Sequence, residues 1–85
     1  MSSTITLEEC TRRLIKEYFL YLENLDDAID LHKFVLAQVE KPLIEETLKQ
    51  AKGNKLQTAK ILGINRNTLH KKMNYFNIPK DLKWL

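Results

Sequence analysis

Only two glycines occur in this chain of 85 residues, Gly53 and Gly63, and each is followed within two positions by an asparagine, Asn54 and Asn65. Glycine stops a helix because it takes a positive φ without a Cβ clash, and asparagine starts one by accepting a hydrogen bond from an orphan backbone N–H. The two stop-and-start signals leave room for one short helix between them. Gly53 is expected as the left-handed residue that closes a preceding helix, and Asn54 with Gln57 three residues on forms a capping box for a helix over Lys55–Leu62. Gly63-Ile64-Asn65 then ends that helix and opens another, running to Tyr75 or Phe76. Two short helices joined by a glycine-containing turn have the spacing of a helix-turn-helix.

Upstream, Thr6 with Glu9 is another capping box, opening a helix over residues 7–22 with apolar positions at Leu7, Cys10, Leu14, Tyr18 and Tyr21, flanked by Ile15, Phe19 and Leu22. That stripe carries three aromatic rings, more apolar surface than one helix of a small monomer easily hides. Cys10 falls within the stripe and is expected in the core; as the one cysteine it has no disulfide partner in the chain. Residues 23–30 read as a connection, with Asp30 as N-cap of a second helix over residues 31–51. Its inner face is expected to carry Phe34 or Val35, Val39, Leu43 or Ile44, and Leu48, with His32 capping or facing solvent at its start. Pro42 sits in mid-pattern, but the periodicity resumes in phase, which favours one bent helix over a break at Lys41. No segment reads as a strand. The expectation is an all-α fold of four helices: residues 1–52 dimerisation helices, 53–76 the helix-turn-helix, and 77–85 a tail ending in Trp84 and Leu85.

Composition bounds the rest. With 44% hydrophobic and 29% charged residues, the chain fits one small soluble domain near the lower limit of what a single core supports, a limit that dimerisation would relieve. The net charge of +3 conceals a split: residues 1–40 hold four basic against eight acidic side chains, and residues 41–85 hold ten against three. A basic second half suits a DNA or RNA surface, although charge alone equally describes a solvated face. No apolar run approaches a membrane span, and Met-Ser-Ser-Thr at the start lacks the regions of a signal peptide, so a cytoplasmic location and no membrane partner are expected. His32, His70 and Cys10 have no metal-ligand spacing, no nucleophile has an identifiable base, and no Walker A glycine loop is present. No enzyme activity, cofactor, metal or small-molecule substrate is therefore expected.

The last helix carries the chemistry. Leu69, Met73 and Phe76 fall on its buried side, while Arg66, Asn67, His70, Lys71 and Asn74 fall opposite. Arg66 in the first turn suits guanine O6 and N7 through its fork, and Asn67 suits adenine N6 and N7. Lys71 and Lys72 are placed for phosphates, His70 for a base or a phosphate, and the backbone N–H groups beside Asn54 and Asn65 for further phosphates. Asn65 is equally accounted for as a cap. Ala59 is small where the two short helices would cross, and Ile64 and Leu69 point inward to fix that crossing.

The run Lys41-Pro42-Leu43-Ile44, Gly53-Asn54, Ala59 and Gly63-Ile64-Asn65-Arg66-Asn67-Thr68-Leu69-His70-Lys71-Lys72 resembles the Fis family of DNA-binding domains. Within it the chain is similar to the C-terminal domains of alphaproteobacterial NtrC-type nitrogen regulators, response regulators that activate sigma-54 promoters. The resemblance covers all four helices. It implies a homodimer whose first two helices interlock as a four-helix core, presenting two helix-turn-helix units to a two-fold symmetric duplex site in the bacterial nucleoid. The dimer interface would then include Leu14, Tyr18, Phe19, Leu22, Val35 and Val39. It also implies DNA contacts at Asn54, Asn65, Arg66, Thr68, His70, Lys71 and Lys72. The chain departs from the family at His70, where arginine is common, and at Leu56, where a polar phosphate-binding residue can stand. With about six residues ahead of the first helix, it also lacks the length of the family's N-terminal recombinase-contacting arm. A stand-alone Fis-like nucleoid protein and a helical protein-interaction module are the alternatives to an NtrC-like regulator.

Overall fold

The computed structural model describes residues 4–81, 83 and 85, and separates into two compact units, Met1–Leu31 and His32–Leu85. Its elements are α1 (Leu7–Leu20), a short 3-10 turn (Leu25–Asp27), α2 (Leu31–Gln50), α3 (Lys55–Leu62) and α4 (Arg66–Tyr75), with no strand among the described residues. The fold is thus all-α with four helices, as the spacing of caps and apolar residues predicts. Trp84 lies outside the described residues.

In the first unit, Thr6 caps α1 by accepting the Glu9 N–H at 3.1 Å, and Glu8 and Arg12 form an exposed pair one turn apart. The rings of Tyr18 and Phe19 meet edge to face, with centroids 5.3 Å apart. None of the described residues up to Leu31 is buried. Cys10 is exposed, correcting the expectation of a core thiol: its helix has no buried position for it to occupy. Asp30 is also corrected. Its φ of 52° is left-handed, whereas an N-cap residue is extended.

The second unit holds the core. Ile44, Leu48, Ala59, Leu69, Met73 and Ile78 form one buried cluster, with Leu62, Ile64 and Phe76 packed against it. Leu48, Leu69 and Met73 are fully enclosed, each contributing about 1.5–3 kcal/mol of hydrophobic stabilisation. α2 is a single helix through Pro42; of the paired alternatives for its inner face, Ile44 is buried and Leu43 exposed, Val35 half-buried and Phe34 exposed. Thr58, wholly buried, donates its hydroxyl to the Asn54 carbonyl at 2.8 Å, so the one buried polar side chain among the described residues is satisfied.

One device terminates α2, α3 and α4 alike. A left-handed residue turns the chain back, and its N–H and that of its successor bond to carbonyls of the last helical turn. After α3, Gly63 (φ 73°) donates to Lys60 and Ile64 to Ala59; after α4, Asn77 (φ 57°) donates to Asn74 and Ile78 to Met73. After α2 the left-handed place falls to Lys52 (φ 53°), which donates to Lys49, while Gly53 donates to Leu48. This corrects the expected role of Gly53: α2 ends at Gln50, so the first positive φ arrives one residue earlier, and Gly53 (φ 83°) follows with a second. Ile78, read from sequence as part of a tail, is 3% exposed because the turn at Asn77 folds it back onto Met73 in the core.

Candidate nucleic-acid interface

The starts of α3 and α4 are each held by local chemistry. Asn54 Oδ1 accepts the Gln57 N–H at 3.0 Å, and Asn65 Oδ1 accepts the Asn67 N–H at 2.7 Å. The return half of the Asn54–Gln57 capping box is replaced: the Asn54 N–H donates to the Ala51 carbonyl at the end of α2. Asn65 therefore acts as a cap. Gly63 meets nothing within 4 Å of an added Cβ, so this position demands glycine for its φ and not for space. Ala59, 3% exposed, is enclosed where α3 packs on α4.

With Leu69 and Met73 anchored, α4 turns Arg66, Asn67, Lys71 and Asn74 to the exterior, all exposed. His70, one turn from both Arg66 and Asn74, and Thr68 are half-buried. Thr68, Lys71, Lys72 and Tyr75 line one side of a groove whose other wall is α2 from Lys33 to Glu40. Lys33 Nζ stands 5.9 Å from the Tyr75 ring centre, within cation–π range. Lys72 is not turned outward with Lys71: its Nζ lies 2.7 Å from Glu40 Oε2 on α2.

Two features here escape a reading from sequence, and a third was open to it. Lys52 is an unremarkable lysine until its φ is known, and Thr58 is one of several polar residues on a short helix. Glu40 was detectable: it stands four residues before the buried Ile44, hence over the inner face of α2, where an acid calls for a cation.

Two capped helices, a left-handed glycine turn and an exposed basic face together define a helix-turn-helix unit. The family model described as bacterial regulatory protein, Fis family, matches residues 35–76, from within α2 to the residue that caps α4. The chain is 36% identical over 72 residues to DNA-binding protein Fis of Actinobacillus succinogenes and 38% identical over the same length to that of Proteus mirabilis, spanning 85% of this chain and 72% of each relative. It is 40% identical over 67 residues to DNA-binding protein Fis of Proteus vulgaris, covering 79% of this chain and 71% of that one. The chain belongs to the Fis family. That membership places it among regulatory proteins and not among enzymes.

Proposed function

We propose that the chain binds duplex DNA as a homodimer, with α4 of each copy in a major groove of a two-fold symmetric site. The observation that carries this reading is the outward face of α4: Arg66 and Asn67 stand exposed in its first turn, where recognition helices meet base edges. Arg66 and Asn67 read bases, with His70 one turn on from Arg66. Lys71, Lys72 and Thr68 contact phosphates, as do Asn54 and Asn65, whose Oδ1 atoms serve the caps and whose side-chain Nδ2 groups carry the donors for the duplex. The relatives that share four residues in ten or nearly so bear the name of a DNA-binding protein, which supports the same reading.

The dimer is supported by the first unit. Residues 4–31 bury nothing, and Leu20, Tyr21, Leu25 and Ile29 are all more than 70% exposed, an apolar surface of the kind that marks an interface. A second copy covers this unit, the contact also taking in the exposed Phe19, the half-buried Leu14, Tyr18 and Leu22, and Val35 and Val39 of α2. Residues 1–52 then serve dimerisation and 53–76 recognition.

Between a stand-alone Fis-like nucleoid protein and the DNA-binding end of an NtrC-like sigma-54 regulator, the names of the relatives favour the former. Footprinting of purified protein on genomic fragments tests the proposal: it expects paired protected tracts about one helical turn apart, centred on a two-fold axis. Uniform cleavage across the fragments at micromolar protein would refute it.

A further inference from the structure

Of the three ion pairs among the described residues, Arg12–Glu8 and Lys49–Glu46 each join neighbours on one helix, and only Lys72–Glu40 joins two helices. Its N–O distance is 2.7 Å and each side chain is 33% exposed. The pair crosses the seam between α2 and α4, with the groove beneath Tyr75 on one side and a recess formed by Leu43, Leu62 and Ile64 on the other. It is short and charge-assisted, yet water reaches both partners, so it can open. Lysine is a point charge on a four-carbon stem with three donors, able to trade one oxyanion for another without moving its helix.

The geometry points to Glu40 as an internal stand-in for a DNA phosphate: it holds Lys72 against α2 in the free protein and releases it when a phosphate takes the carboxylate's place. This rests on the reading that α4 meets duplex DNA. Lys71 then offers its full charge to the duplex, whereas Lys72 yields only the difference between a phosphate and Glu40. The carboxylate left behind adds a repulsion beside the same backbone. Glu40 thereby sets how readily the protein engages any duplex, without touching a base.

The test is equilibrium binding of the unaltered protein, Glu40→Gln, Lys72→Ala and the double variant to one duplex across a salt series, each checked by thermal melting. Glu40→Gln is expected to bind about threefold to tenfold tighter at low salt, the scale of one partly shielded charge pair. Its log–log salt slope should stay close to that of the unaltered protein, because Lys72 neutralises the same phosphate in both, whereas Lys72→Ala should make the slope shallower by about 0.9 per chain. In the Lys72→Ala background the gain should shrink to the small effect of a lone rim charge. Glu40→Asp, which keeps the charge but withdraws it by one methylene, should fall between the two and guards against a folding defect in the glutamine variant. Tighter binding by Glu40→Gln in both lysine backgrounds alike would overturn the proposal, because Glu40 would then repel DNA without governing Lys72. Weaker or unchanged binding by Glu40→Gln, while the unaltered protein binds, would overturn it as well and make the pair a fixed strut. Failure of the unaltered protein to bind any duplex would instead remove the underlying DNA-binding reading, and this inference with it.

Discussion

The two units of the chain solve the problem of small size in opposite ways. His32–Leu85 closes its own core: three helices end in the same hydrogen-bonded turn, and two of those turns deliver Ile64 and Ile78 back against it. Met1–Leu31 has a well-capped helix but no buried side chain among its described residues. Local signals are equally good in both, so capping and periodicity alone do not make a self-sufficient structure; burial does. The first unit has the architecture of something completed by contact, which is why we assign dimerisation to it together with α2, and recognition to residues 53–76.

The sharpest way to break this comparison is through the cores. Leu69→Ala should cost about 2–5 kcal/mol in chemical denaturation, since its side chain is fully enclosed. Tyr18→Ala should cost little in a dilute monomer, yet should lower a melting temperature that rises with protein concentration. A concentration-independent melt for the unaltered chain would remove the dimer from the account. Next in size, Arg66→Ala should weaken binding to a specific site by about 1–3 kcal/mol and relax preference at one base position, read by competition with single-base variants of the site. Uniform weakening on all sequences would reassign Arg66 to phosphates. Smaller again, Gly63→Ala should lower stability by about 1 kcal/mol through its left-handed φ, while Lys52→Gly should raise it by about 0.5–1 kcal/mol by the same physics in reverse. The least effect belongs to the first unit's surface: Arg12→Ala removes an exposed helix pair worth about 0.3–0.5 kcal/mol.

The asymmetry between the units also explains what was legible in the sequence. Gly63, Asn54 and Asn65 announce the helix-turn-helix because their chemistry is local, and the caps form where the residues predict. The inner residues of α4 follow from period alone. Lys52 and Ile78 were hidden because their roles depend on where a preceding helix stops, to within one residue. Cys10 was misplaced because an amphipathic stripe states that a surface wants cover without stating what supplies it. The Lys72–Glu40 pair was hidden because helical position gives the start of a long side chain and not its end, which here reaches Glu40.

The central claim is that α4 and its flanking helix starts present a cationic surface to duplex DNA. Fluorescence anisotropy of a labelled duplex across a salt series tests it most directly. If two chains together meet about eight phosphates, log affinity should fall against log salt with a slope of about −7. A slope near zero, or no binding at low salt, would contradict it.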